Sequence, residues 1–94
     1  MGILALEVLT PDKSLYLGRA TSIIAKAIDG EVAIYPGHTP YVNVLAPGDL
    51  RVHTEENTCL HFHHGGGVLE VSREKTKVLV LPLDSLATSL TGSV

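Results

Sequence analysis

Tryptophan is absent from this sequence of 94 residues, and Phe62 is its only phenylalanine. Valine, leucine and isoleucine supply most of the apolar residues instead. A core of β-branched and aliphatic side chains favours sheet over helix. Because a chain of this length buries too little surface for a second core, we predict a single domain built largely of β-sheet.

Cysteine and long apolar runs are also scarce. Cys59 is the only cysteine, so an internal disulfide is excluded and packing must stabilise the fold, which suits a reducing compartment. The N-terminal residues MGILALEV lack the cationic region and cleavage pattern of a signal peptide. The longest apolar run, 78–83, is far shorter than the roughly 20 residues of a membrane-spanning helix. We therefore expect any membrane association to go through a partner.

Clustered positive charge is missing as well. The seven Lys and Arg residues are spread along the chain against ten Asp and Glu, for a net charge of −3. Such a chain has no basic field to attract a polyanion. We therefore expect no nucleic-acid partner.

Short apolar or alternating segments, each bounded by turn residues, follow one another along the chain, which is the pattern of β-strands. Their number and spacing predict an antiparallel β-sandwich, or flattened barrel, of about nine or ten short strands over residues 1–84. The polar segment 85–94 carries too little apolar surface to fold alone and is expected to be a short tail. The clearest strand segments are 4–9, 14–17, 20–28, 31–35, 41–45, 49–54, 58–64, 68–72 and 76–83, the last apolar enough for burial on both faces.

Two Pro-Gly pairs, Pro36-Gly37 and Pro47-Gly48, flank the strand predicted at 41–45. Proline fixes φ and glycine permits positive φ, so each pair predicts a sharp and specified bend. His38 follows the first pair and is therefore held in a defined direction. The pattern leaves open whether it faces a substrate, a metal or another protein.

The run CLHFHH places Cys59, His61 and His63 on one face of a strand, because side chains alternate along a strand. Thiolate and imidazole groups suit zinc. No fourth ligand stands out, and ligands two residues apart on a flat strand seldom converge without a partner strand. The pattern therefore favours an exposed sheet face, with Leu60 and Phe62 in the core, over a metal site.

An alternative function is that of a small metal-dependent, cupin-like β-barrel enzyme. His61 and His63, followed by Glu70, resemble the HxH plus Glu element of that barrel. Its second element is loosely resembled by Gly30 with Pro36, Gly37, His38 and Asn43. Here the two elements occur in reversed order, and the spacing from His63 to Glu70 is too long. This interpretation predicts that the chain retains a metal ion.

Other catalytic patterns are missing. The sequence has no strand-turn-helix nucleophile elbow, although Ser, His and Asp are all present. The segment 65–67 (GGG) precedes a predicted strand rather than a helix, so we expect a tight connection and not a phosphate site. We expect no catalytic residues and no cofactor.

The run GEVAIYPGHTPYVNVLAPGDLRV, followed by GGGVLEV and KVLVL, closely resembles the N-terminal domain of the epsilon subunit of F-type ATP synthases. That family shows the same ordered Gly-Glu, Pro-x-His-x-Pro, Pro-Gly and Gly-Gly motifs, and the resemblance covers about residues 3–84. It implies a two-sheet β-sandwich without catalytic activity in the central stalk of the rotor. Such a subunit docks the gamma subunit onto the c-ring and so couples proton or sodium ion flow to ATP synthesis.

By position, the resemblance implies that Glu31, with Asp29 and Gly30, faces the c-ring loops. It also implies that His38 lies on the side facing gamma, and that one face of the strand 41–45 supplies apolar contacts there. The resemblance places the chain at the cytoplasmic face of the bacterial inner membrane, or its organellar equivalent, attached only through the complex. The remaining residues expected to contact gamma are Tyr41, Val42 and Asn43.

The end of the sequence departs from the family pattern. Members usually continue into a C-terminal pair of helices that regulates ATP hydrolysis and, in some bacteria, binds ATP. This sequence stops at Val94, so we expect the helical hairpin to be absent. We therefore do not attribute to this chain the hairpin's inhibition of ATP hydrolysis or its nucleotide binding. The His-rich strand is also more polar than is usual at that place in the family.

Overall fold

A computed structural model describes residues 2–83, which form seven strands joined by turns. The predicted tail at 85–94 and the expected absence of a C-terminal helical hairpin lie outside the described residues. Within residues 2–83 no helix is long and apolar enough to cross a membrane. The strands are β1 (Leu4–Leu9), β2 (Ser14–Ala27), β3 (Gly30–Ile34), β4 (Tyr41–Leu45), β5 (Gly48–Thr54), β6 (Cys59–Val71) and β7 (Thr76–Pro82).

The strands form one continuous sheet that folds into two layers. Strands β1, β2, β5, β6 and β7 pair in a closed circuit, while β4 pairs with β6 and the end of β2, and β3 pairs with β2. The first layer contains β3, the second half of β2, β5 and the first half of β6. The second layer contains β4, the second half of β6, β7, β1 and the first half of β2. The predicted flattened β-sandwich is confirmed.

One strand pair differs from the predicted antiparallel arrangement. β1 and β7 run parallel, with Leu6 beside Thr76 and Leu9 beside Leu79. Parallel neighbours need a long connection between them, and here the whole of the domain separates the first strand from the last. All other pairs are antiparallel.

The strand count is seven because two predicted breaks are bends within long strands. Gly18 stays in the ladder opposite Leu6, so 14–17 and 20–28 belong to one strand, β2. The segment 65–67 likewise lies inside β6, where the register shifts between His64 and Gly67. Gly66, at a φ of 115°, makes that bulge. Glycine there carries the strand from one layer into the other instead of ending it.

The core is aliphatic, as the composition predicts. Fifteen buried hydrophobic residues form one cluster, and Tyr16, Val32, Tyr41, Leu60 and Phe62 pack against it. The predicted burial of the last strand on both faces is wrong. Val78 and Val80 point into the core, but Leu79 and Leu81 lie on the outer side, because β7 belongs to a layer that nothing covers within the described residues.

His64 is a buried polar residue at the end of the core, with 1% of its surface exposed. Its Nδ1 accepts a hydrogen bond from the Gly66 N–H at 3.0 Å, while Nε2 has no partner within the described residues. Burial lowers the pKa of His64 below its ordinary value of 6.5, because the charged form loses its hydration. The neutral ring therefore belongs to the folded state.

This histidine should make the fold sensitive to acid. The unfolded chain binds a proton at His64 more readily than the folded chain does. The free energy of unfolding therefore loses nothing to this histidine above pH 6.5 and falls as the pH drops below 6.5. The variant His64→Asn keeps an acceptor for the Gly66 N–H but does not titrate. Urea unfolding at a series of pH values should show a steeper acid loss of stability for wild type than for His64→Asn. Equal losses in the two proteins would contradict this role.

Candidate docking surfaces

The turn Asp29-Gly30 joins β2 to β3, as its sequence predicts, and brings Glu31 opposite Lys26. Gly30 has a φ of 131°, a conformation that residues with a side chain rarely adopt, so glycine fixes the shape of this turn. The three predicted c-ring contacts therefore form one exposed tip of the sandwich. The structure brings Asp29, Gly30 and Glu31 together in this tip.

Glu31 is held by a neighbouring cation. Its Oε2 accepts a hydrogen bond from Nη2 of Arg51 at 3.0 Å, and 67% of the glutamate side chain stays exposed. An ion pair this exposed contributes at most about 1 kcal/mol. The carboxylate is therefore oriented by Arg51 but remains open to a second cation from outside.

His38 lies at the other end of β3, in the turn after the strand. Its Nδ1 lies 2.7 Å from the Thr39 carbonyl oxygen, which can only accept a hydrogen bond, so Nδ1 carries the proton. The ring also meets the edge of the Tyr41 ring, with centroids 5.5 Å apart. In the neutral ring Nε2 is then an acceptor, and it has no hydrogen-bond partner within residues 2–83. The predicted bend does hold His38 in one direction.

Asn43 links the two predicted contact regions, which the sequence does not reveal. Its Nδ2 donates to Oδ1 of Asp29 at 3.1 Å and to the hydroxyl of Tyr41 at 2.7 Å. Tyr41 in turn packs against His38. A chain of contacts therefore runs along β4 from the Asp29 tip to the His38 turn.

The predicted gamma contacts on β4 divide between two sides of the strand. Val42 and Val44 face outward, with 68% and 49% of their surfaces exposed. Tyr41 and Asn43 are half-buried, and the Tyr41 ring packs against the core. Only the valines of this strand offer apolar surface to a partner.

The two valines belong to a larger surface that we call the outer apolar face. Cross-strand pairs align Val44 with Val68, Val68 with Leu79, and Leu79 with Leu9, so one apolar row crosses four strands of the second layer. A row of charged side chains runs beside it, from Glu70 through Lys77. The outer apolar face comprises Val42, Val44, Val68, Leu79 and Leu81, each 37–68% exposed.

The histidines of the CLHFHH run lie on the outer side of the first layer. Nδ1 of His61 is 2.8 Å from Oδ2 of Asp49, and Nδ1 of His63 is 3.5 Å from Oδ1 of the same carboxylate. The predicted neighbour Cys59 lies 3.6 Å from Nε2 of His61. Among residues 2–83, no three His, Cys, Asp or Glu side chains are already arranged to hold a metal ion.

The cupin-like interpretation fails on geometry. Glu70 lies in the second half of β6, where it pairs with Val42 and Lys77 in the second layer. His63 lies in the first half of the strand, where it pairs with Asp49 in the first layer. Both side chains are exposed, His63 on the outer side of the first layer and Glu70 on the outer side of the second, so they point away from each other. The HxH pair and Glu70 therefore cannot share one ion.

Comparison with protein families gives a match over nearly the whole domain. Residues 3–82 match the family described as "ATP synthase, Delta/Epsilon chain, beta-sandwich domain". The ATP synthase epsilon chain of Acinetobacter baylyi is 40% identical over 79 residues, and that of Halorhodospira halophila is 38% identical over 80 residues. Each alignment covers 84% of this chain and 57% of the relative, so the chain spans little more than half the length of these relatives.

Solved structures give a similar picture. A chain in the mitochondrial ATP synthase of Euglena gracilis, in an assembly with its c-ring, superimposes with a TM-score of 0.80 over 99% of this chain and 64% of that chain. At 20% identity, this likeness shows the fold alone. A chain in the central stalk and c-ring structure of the Tetrahymena thermophila mitochondrial ATP synthase has a TM-score of 0.67 at 27% identity, covering 86% and 66% of the two chains.

Proposed function

This chain belongs to the delta/epsilon family of ATP synthase subunits, matched over the β-sandwich domain, and we propose that it is a non-catalytic subunit of the central stalk. In this role it docks a gamma subunit onto the c-ring and so couples proton or sodium ion flow to ATP synthesis. The relatives named as epsilon chains and the neighbours from central-stalk and c-ring assemblies support the proposal.

The observation that carries the docking role is the outer apolar face. A contiguous apolar surface with a charged rim is typical of protein interfaces, where the apolar centre supplies affinity and the charges set register. In this chain the apolar row has charged neighbours on one side, including Glu7 with Lys75 at 3.7 Å. We assign this face to the gamma subunit, with Val42 and Val44 of the predicted contacts at its edge.

The Asp29 tip is assigned to the c-ring. Glu31 stands out from the sandwich end and is only loosely held by Arg51, so a cation on a c-ring loop can approach it. His38, at the far end of β3, offers its Nε2 to gamma. The contacts through Asn43 keep the tip and the His38 turn in a fixed relation.

The location follows from the partners. As a stalk subunit the chain belongs to a membrane-associated complex, and we propose that it lies at the cytoplasmic face of the bacterial inner membrane or the organellar equivalent. It is attached there through gamma and the c-ring.

The variants Glu31→Ala and His38→Ala test the two assigned contacts. Each should weaken assembly with purified gamma and c-ring, by no more than about fivefold for Glu31 because an exposed ion pair contributes at most about 1 kcal/mol. Both should leave the isolated chain folded, with its thermal midpoint lowered by no more than about 8 °C, because each removes contacts worth at most about 1 kcal/mol. The measurement is co-sedimentation of the chain with the assembled rotor over a range of concentrations.

Glu56→Ala is the matched control, since Glu56 is an exposed acidic turn residue in the turn between β5 and β6. It should assemble like wild type. If Glu31→Ala and His38→Ala also assembled like wild type, the assigned contacts would be wrong. If the wild-type chain did not co-purify with gamma at all, the stalk function itself would be wrong.

A further inference from the structure

We propose that Asp49, His61 and His63 bind a zinc ion on the outer side of the first layer. This surface lies on the opposite layer from the outer apolar face and borders the Asp29 tip, because Arg51, which holds Glu31, lies opposite His61 in the β5–β6 ladder. Asp49 is the third ligand that the sequence does not reveal, because it reaches the histidines from the neighbouring strand β5.

The spacing of the side chains suits a shared metal ion. Asp49 lies directly opposite His63 in the β5–β6 ladder, and the carboxylate also reaches His61 on the diagonal. Zinc takes carboxylate oxygen and imidazole nitrogen at about 2.0–2.2 Å, which puts two ligands of a tetrahedral ion about 3.4 Å apart. The 3.5 Å between Nδ1 of His63 and Oδ1 of Asp49 matches that separation.

The carboxylate has an unmet acceptor at the same place. Oδ1 of Asp49 is buried and has no hydrogen-bond partner within the described residues, whereas Oδ2 accepts from His61. A buried carboxylate oxygen without a partner is costly, and a bound cation would satisfy it. The orphaned atom lies at the side of the carboxylate that faces His63.

The site needs only side-chain movement to close. The three groups do not yet surround a common point, but 50% of the His61 side chain and 72% of the His63 side chain are exposed. The exposed His63 ring therefore has room to turn towards the Asp49 carboxylate, which is 31% exposed, while Nδ1 of His61 already lies 2.8 Å from the other carboxylate oxygen. Three protein ligands and one water complete a four-coordinate zinc ion.

Cys59 has a different role from that of zinc ligand, which the CLHFHH run suggested. It meets Nε2 of His61, the nitrogen on the far side of the ring from Asp49. A histidine that binds metal through Nδ1 leaves Nε2 protonated, so it donates to the Cys59 sulfur and the contact orients the ring. Cys59 is thus a supporting residue and not a ligand.

Calorimetric titration of the untagged chain with zinc chloride, in a buffer that does not chelate metal, tests the site. Wild type should bind one zinc ion per chain. His63→Ala and Asp49→Asn should bind at least about tenfold more weakly, because losing even a residue that only orients a ligand typically costs about 10–100-fold in metal affinity. His63→Ala is the safer variant for the fold because its side chain is so exposed. Circular dichroism verifies that each variant is folded.

Two controls separate this site from other ligand sets on the same surface. His53→Ala removes the histidine paired with Cys59, which the proposed site does not use, and should bind zinc within about threefold of wild type. A cobalt(II)-loaded chain should lack a thiolate-to-metal charge-transfer band. The proposal is overturned if wild type binds no zinc, if His63→Ala binds like wild type, or if a thiolate band appears. Binding is measured without gamma, so failure here leaves the stalk function standing.

Discussion

Replacing Val68 by glutamate is expected to weaken binding of this chain to a gamma subunit at least about 30-fold, or about 2 kcal/mol. Val68 is at the middle of the apolar row, between Val44 on one side and Leu79 on the other. A carboxylate there would be buried against the partner among apolar neighbours, and the nearest cation, Lys77 on the diagonal, already lies between Glu70 and Glu7 in the charged row. Removing a charge from water without a counter-charge costs more than the lost apolar contact.

Cys59→Glu is the matched control, since it puts the same side chain on the same strand but on the opposite layer. It should bind gamma like wild type. Surface plasmon resonance with immobilised gamma measures both, and urea unfolding shows whether each variant keeps its fold. Equal binding by Val68→Glu and wild type would remove the outer apolar face from the interface.

Replacing the three glycines at 65–67 one at a time by alanine should lower the free energy of unfolding by very different amounts. A Cβ on Gly67 would overlap the backbone of Leu79, so β6 and β7 would have to separate there. A Cβ on Gly66 would lie 3.3 Å from the Leu45 carbonyl oxygen and require a φ of 115°, whereas a Cβ on Gly65 would make ordinary contact, 3.6 Å from the Leu81 carbonyl oxygen. The three positions therefore predict a graded series of stabilities.

Gly67→Ala should lower the free energy of unfolding by about 3 kcal/mol or more, the upper part of the range for overpacking. Gly66→Ala should cost about 1–3 kcal/mol through backbone strain, and Gly65→Ala less than about 0.5 kcal/mol. Urea unfolding gives all three values if the slope of the transition is unchanged. A loss of stability in Gly65→Ala as large as that in Gly67→Ala would contradict the bend of β6 at 65–67.

Hydrophobic alternation and turn residues in the sequence correctly predicted individual strands and turns. The strand at 4–9, the strand at 41–45 and the Asp29-Gly30 turn occur as expected, because alternation and turn residues decide them. The breaks at Gly18 and 65–67 were wrong because a glycine signals a bend equally well inside a long strand. Whether a glycine ends a strand or only bends it depends on how the neighbouring strands pair with it.

In the candidate sites, features set by adjacent residues were predictable, and contacts between residues far apart in the sequence were not. The bend that holds His38 and the exposed tip at Glu31 follow from adjacent residues. Asp49 reaches His61 across twelve positions in the chain, and Asn43 reaches Asp29 across fourteen. Such contacts depend on strand register, which one sequence does not reveal.

The sequence predicts the β4 edge of the outer apolar face, through the strand 41–45, but not its continuation across β6 and β7. The segment 76–83 is apolar at almost every position, which is typical of a strand buried on both faces. In the structure only one side of β7 meets the core, and Leu79 and Leu81 are exposed on the other. Apolar residues on an open layer therefore indicate a partner outside the described residues.

Hydrogen exchange of the chain with and without purified gamma subunit tests most directly whether the outer apolar face binds gamma. Exchange should slow on binding in β4, the second half of β6 and β7, which carry the outer apolar face. It should not change in β5 and the first half of β6, where Asp49 and the histidines lie. Protection of the histidine side with no change in β4 and β7 would show that gamma does not bind the outer apolar face.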